Sequence, residues 1–146
     1  MATRVPIINQ SNNELPAYAT EGASGLDLRA WLDQPVSLAP LERKLIPTGL
    51  FIELPEGLEA QVRPRSGLAI RQGLTILNAP GTVDSDYRGE IKVALVNLSA
   101  ESQVIHPGDR IAQLVIQRFE KITWQPVSGL SDTERSSGGF GSTGKK

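Results

Sequence analysis

Residues 90–98, EIKVALVNL, show the pattern that organises the chain. Ile91, Val93 and Leu95 alternate with Lys92, Ala94 and Val96, so an extended segment here has one wholly apolar face and one mostly apolar face. A period of two puts alternate side chains on opposite sides of a sheet and predicts a β-strand. Four further runs rich in Val, Ile and Leu read the same way: residues 44–54 (KLIPTGLFIEL), 58–63 (LEAQVR), 74–77 (LTIL) and 110–119 (RIAQLVIQRF). Proline and glycine, 10 and 14 in number, recur between the runs at short intervals, as turns require. Short strands separated by such signals predict an all-β, jelly-roll-like β-sandwich. One segment breaks the period. Residues 66–73, SGLAIRQG, predict a short helix with Ser66 as its cap, Leu68, Ala69 and Ile70 as anchors, and Gly73 ending it.

After about Gln125 the pattern stops. Residues 126–146 are dominated by glycine, serine and threonine, with only Val127, Leu130 and Phe140 as large apolar residues. Such a segment buries too little to order itself. The expected organisation is therefore a β core over residues 1–125 and a flexible C-terminal lid over 126–146. Arg135, Phe140 and the glycine run supply a fork of donors, a stacking ring and close backbone approach, which suit closure over a phosphate-bearing ligand.

Composition then removes whole classes of chemistry. A chain of 146 residues buries enough surface for one domain without staples. With no cysteine there is no disulfide, thiolate nucleophile or Cys-held zinc, as suits a reducing compartment. A net charge of −1 gives no overall field for nucleic acid. The first residues, MATRVPIINQSNNELP, lack the apolar centre of a signal peptide, and no run approaches the ~18–20 apolar residues of a membrane span. A soluble, cytoplasmic protein is expected. The single histidine, His106, sits in the turn sequence HPGD, so a His-based metal cage or Ser-His-Asp triad is close to excluded. Acid–base work falls to carboxylates.

The densest collection of chemistry is NAPGTVDSDYRG, residues 78–89, with Asp84 and Asp86 beside Tyr87 and Arg88 and glycines at 81 and 89. By itself it reads equally as a polar hairpin loop or as a turn holding a general base against a small ligand. A second candidate fails. GFGSTGK, residues 139–145, satisfies G-x-x-x-x-G-K, but Lys146 follows where a phosphate-binding loop needs Ser or Thr and then a helix.

Five stretches taken together resemble the trimeric dUTP pyrophosphatase (dUTPase) family, in that family's order: ASGLDLRA (23–30), PRSGLA (64–69), NAPGTVDSDYRG (78–89), GDRIAQLV (108–115) and ERSSGGFGSTG (134–144). Each alone is weak, since PRSG and GDR are ordinary turn chemistry. The resemblance implies hydrolysis of dUTP to dUMP and pyrophosphate, which keeps uracil out of DNA and supplies dUMP for thymidylate synthesis. It implies Asp84 as the base that orients water against the α-phosphorus, and Asp27 as holder of waters on a triphosphate-bound Mg²⁺. It implies a phosphate grip of Arg65, Ser66, Gly67 and Gln113. Asn78 and neighbouring backbone groups are implied at the uracil edge, Gly81, Val83 and Lys92 among the substrate-binding residues, and Tyr87 against the deoxyribose, where it leaves no room for a 2′-hydroxyl. Arg135 is implied on the γ-phosphate and Phe140 over uracil, with Gly141, Ser142 and Thr143 adding tail contacts, in a homotrimer whose sites are shared between subunits. Neither nucleic acid nor membrane is an expected partner.

The chain departs from the pattern at Ser136, where the family commonly has glycine, and this bears on the placement of Arg135. Two rivals stay open on sequence: the related dCTP deaminases, which share the fold but lack the GFGSTG tail, and a jelly-roll binding module with no use for Asp84.

Overall fold

Alternation becomes burial. In the computed structural model, which describes residues 2–145, Ile91, Val93 and Leu95 are almost completely buried while Lys92 is exposed. The described residues form ten strands and one helix. These are β1 (Ile7–Asn9), β2 (Gly25–Arg29), β3 (Val36–Leu38), β4 (Arg43–Ile52), β5 (Leu58–Arg63), α1 (Ser66–Gln72), β6 (Leu74–Ile76), β7 (Gly81–Val83), β8 (Ile91–Asn97), β9 (Gln103–Ile105) and β10 (Arg110–Arg118).

Two four-stranded sheets, ordered β1-β4-β8-β6 and β2-β10-β5-β7, are joined by a small β3-β9 sheet. Every strand pairing is antiparallel. Leu28, Ile46, Leu74 and Ile111 join the β8 residues in one continuous core. The all-β, jelly-roll-like sandwich expected from the sequence is the architecture found. All five apolar runs form strands, with ends moved by a residue or two where they ran past the last paired position. Two buried polar side chains are tied to carbonyls: Thr48 donates to Ile91 O, and Asn97 Nδ2 donates to Leu38 O (2.9 Å) and Glu101 O (2.8 Å). The Asn97 bonds stitch β8 to the β3-β9 sheet, which meets the demand that buried polar groups be paired.

The helix differs from expectation at its start and on its face. Arg65 holds the N-cap position in an extended conformation, and Ser66 is the first helical residue, exposed and without a capping role. Ile70 is 88 % exposed and anchors nothing, whereas Leu68 packs on the core. A helix of two turns resting on a sandwich edge has room for one apolar contact of this kind, and the run of three apolar residues overstated it. Its end is as expected. Gly73 has φ +66° and donates to the carbonyls of Leu68 and Ala69, and a side chain there would come within 2.9 Å of Ser99 N.

After β10 the described residues form no further strand or helix. Phe119 N donates to Gly57 O (3.2 Å); beyond it Ile122, Trp124, Leu130 and Phe140 are exposed.

Candidate active site

Strand β7 ends at Val83, and the chain turns at once through Asp84, Ser85, Asp86 and Tyr87. Tyr87 N donates to Asp84 O at 3.1 Å, closing the turn. Arg88 braces it, its guanidinium donating to Ser85 O (2.7 Å) and Tyr87 O (3.3 Å). Asp84 stands exposed at the head of this turn. The carboxylate is thus presented to solvent on a short, cross-braced corner, a geometry suited to placing a water.

Beside the turn is a cavity of about 230 Å³. Asn78, Gly81, Val83, Tyr87 and Lys92, all singled out from the sequence, line it together. Its apolar wall comes from residues the motif reading did not single out, among them Leu45, Val62, Ile76 and Ala94. They are the alternating residues of β4, β5, β6 and β8, so periodicity pointed to the strands but not to which face would line a ligand. Gly81 lies against Asn78: a Cβ there would be in ordinary contact with Asn78 Nδ2 and Val62 Cβ, at 3.4 Å. A largely apolar cleft with an amide in its lining can hold a small heterocycle and read its polar edge.

A second group lies elsewhere. Asp27, in the middle of β2, stands level with Gln113 of β10, which in turn faces Arg63 of β5. Just past β5, Arg65 reaches back, with Nε 3.4 Å from Asp27 Oδ1 and Nη1 donating to Arg110 O at 3.0 Å. The Arg110 side chain approaches from the other side, 3.5 Å from Asp27 Oδ2. Two guanidinium groups around one carboxylate leave net positive charge, the field an anionic ligand needs. Asp27 Oδ1 is buried and has no hydrogen-bond partner, so acceptor capacity remains there. Arg110 was not among the candidates drawn from the sequence, although the GDRIAQLV stretch contains it. Its role depends on the β2–β10 pairing, which places it beside Asp27. Ser66 and Gly67 follow Arg65 at the start of α1, and Gly25 lies beside the Gln113 side chain, which a Cβ there would touch at an ordinary 3.4 Å.

The third group is the tail, folded on itself. Gly138 N donates to Arg135 O (3.0 Å), Arg135 Nε to Gly138 O (2.7 Å) and Ser142 N to Gly139 O (3.1 Å). Arg135, Phe140, Gly141, Ser142 and Thr143 surround a hollow of their own. Ser136 lies at φ +48°, in the left-handed region.

Register separates the first two groups. β5 and β7 pair Val62 with Gly81 and Ala60 with Val83. Asp84 follows Val83, the last paired residue of β7, which lies opposite Ala60 near one end of β5, whereas Arg65 lies beyond the other end. The five residues of extended chain from Ala60 to Arg65 span on the order of 15–20 Å. The cleft, the arginine–aspartate corner and the tail occupy three places on one chain.

The comparisons agree with one another. The dUTPase family model matches residues 11–144. A deoxyuridine 5′-triphosphate nucleotidohydrolase of Cytophaga hutchinsonii is 59 % identical over 145 residues, covering 99 % of this chain and 94 % of its own. One from Finegoldia magna is 56 % identical over 141 residues, covering 97 % and 99 %. Among solved structures, the dUTPase of Staphylococcus bacteriophage 80alpha with dUpNHpp superimposes with a TM-score of 0.88 at 24 % identity, over 98 % of this chain and 99 % of that one.

Proposed function

The chain belongs to the dUTPase family and is a dUTP diphosphatase, and from that premise we propose that a water oriented by Asp84 attacks the α-phosphorus of dUTP. The observation that carries this reading is the cleft gathering Asn78, Gly81, Val83, Tyr87 and Lys92 one residue from Asp84. In the step itself, the water oxygen bonds to the α-phosphorus as the bond from that phosphorus to the bridging oxygen breaks. Pyrophosphate departs, dUMP remains, and the carboxylate takes a proton from the water. Most of the acceleration is assigned to alignment and to neutralisation of phosphate charge.

The amide of Asn78 offers donor and acceptor to the uracil edge, and Tyr87 packs on the deoxyribose. Arg65 and Gln113, with Ser66 and Gly67, grip phosphate oxygens. The residues fit a Mg²⁺ that arrives on the triphosphate. The described residues hold no cluster of three metal-binding side chains, yet the spare acceptor of Asp27 suits contact through metal-bound water. When bound, the ion neutralises charge on the phosphates.

A separation on the order of 15–20 Å between Asp84 and Arg65 exceeds what one triphosphate bridges, and this supports a site completed by another copy. A homotrimer with shared sites is the proposed assembly, its third contribution being Arg135, Phe140, Gly141 and Ser142 of the tail, which acts as a lid on the 1–125 core. Consumption of dUTP with release of dUMP would keep uracil from DNA and feed thymidylate synthesis. A cytoplasmic location is proposed together with that role.

Pyrophosphate release with Mg²⁺ from dUTP, dCTP, dTTP and UTP, with the nucleotide products identified, tests the reading. Turnover of dUTP alone, giving dUMP, is expected. Appearance of a deoxyuridine nucleotide from dCTP would favour deamination, and no turnover would leave a binding module.

The tail carries a smaller prediction. A non-glycine residue in the left-handed region is strained by about 1–2 kcal/mol, and Ser136 is such a residue. Ser136→Gly is therefore expected to ease formation of the Arg135 turn and to lower KM for dUTP up to about fivefold, with the melting temperature unchanged. Steady-state kinetics and a thermal melt check both halves.

A further inference from the structure

We propose that Gly89 is a positioning residue for the sugar filter, because the space left by its missing side chain is where the Tyr87 ring lies. The proposal rests on the reading of Tyr87 as the ring against the deoxyribose.

Gly89 is not needed for its backbone, since its φ lies outside the left-handed region. An alanine there would meet a side chain instead. A Cβ on Gly89 would stand 2.5 Å from Tyr87 Cζ and 2.8 Å from Cε1, with the Tyr87 hydroxyl oxygen nearer still. Carbon atoms in contact need about 3.5–4.0 Å, so ring and Cβ cannot coexist as placed.

The ring is drawn to this spot by its neighbours. Tyr87 Oη donates to Glu90 O at 2.9 Å, and the Glu90 carboxylate accepts the Gly49 N–H at 3.1 Å. The base of the side chain is fixed by the Asp84–Tyr87 turn. The outer side of the ring is open, with Tyr87 45 % exposed. An added methyl group therefore displaces the ring outward rather than the backbone. Tyr87 lines the candidate nucleoside cleft, so its displacement reshapes the sugar side of that cleft.

The test compares kcat/KM for dUTP and UTP in wild type, Gly89→Ala, Tyr87→Ala and the double variant. A steric filter against one added hydroxyl is worth on the order of 10²-fold. Gly89→Ala is expected to lower the dUTP:UTP preference about tenfold, Tyr87→Ala to lower it at least as much, and the double variant to match Tyr87→Ala. The chain has only two tyrosines, Tyr18 and Tyr87, so 3-fluorotyrosine labelling gives two ¹⁹F resonances that Tyr18→Phe assigns. Gly89→Ala should move the Tyr87 resonance and leave that of Tyr18 in place.

An unmoved Tyr87 resonance overturns the inference. So does an unchanged preference in Gly89→Ala when Tyr87→Ala has lost its own. If Tyr87→Ala keeps its preference, the sugar reading of Tyr87 falls, and the selectivity claim with it. Should Gly89→Ala fail to fold, the double variant decides: with the ring gone the alanine fits, so folding is expected to return to that of Tyr87→Ala. A double variant that stays unfolded overturns the proposal.

Discussion

An Asp84→Asn enzyme is expected to turn over dUTP about 10²–10⁴-fold more slowly than wild type while binding it almost as well, the scale on which one acid–base group acts. The substitution keeps the shape of the side chain and removes only its charge and basicity. Asp84 makes its one backbone contact to Tyr87 through its carbonyl, which asparagine retains, so the turn survives. The loss belongs in kcat, because a water placed for attack matters in the transition state and little to the bound substrate. Wild-type turnover in Asp84→Asn would refute the catalytic assignment.

Mixing variants extends the test to the assembly. Arg65→Ala should be similarly impaired. If Asp84 and Arg65 serve one site from different chains, co-refolded mixtures of Asp84→Asn and Arg65→Ala subunits recover activity that neither has alone. If one chain supplies both, each site in the mixture keeps a defect and no activity returns.

How much of this was legible in the sequence depended on length of pattern. β8 and β10 announced themselves because runs of seven and nine residues rich in Val, Ile and Leu, with alternation at the start of β8, outweigh local ambiguity. β1, β3, β7 and β9 are three residues each, too short for a period to be counted; β1 and β7 form against the longer β4 and β5, and β3 and β9 form by pairing with each other. β2 was read as a motif, and its strand character follows from pairing with β10. Ile70 misled for the opposite reason: an apolar side chain on a two-turn helix looks like an anchor until the helix is placed at an edge.

The site divides the same way. Residues of the 78–89 stretch are close in sequence and meet in one cleft, so local reading found them. Arg110 is 45 residues from the Arg65 whose guanidinium its carbonyl receives, and only the three-strand register of β2, β10 and β5 brings the two together. Gly89 was visible as a letter in a turn. Its consequence was not, because a glycine's value there lies in what occupies the empty space.

Removing residues 134–146 is expected to reduce dUTP turnover on the order of 10²-fold or more, the scale of lost alignment, without destabilising the core. The reasoning starts from contacts. The hydrogen bonds of Arg135, Gly138, Ser142 and Gly144 run to other tail residues, and Phe140 presents its whole ring to solvent. Among the described residues these bonds do not reach the sandwich, so the melting temperature should stay close to that of the full chain. A segment that contributes so little to its own fold, yet carries a guanidinium, a free aromatic ring and a run of glycines, has its use with a ligand present. If the tail closes as proposed, ordering it over the triphosphate would cost entropy that phosphate and stacking contacts offset, and closure would be coupled to substrate. Phe140→Ala separates the two contributions. It should raise KM by losing the stack on uracil while Arg135 still reaches the phosphates, leaving a milder defect than truncation. Full turnover in the truncated enzyme would remove the lid from the mechanism, and a large drop in melting temperature would make the tail a structural element of the assembly instead.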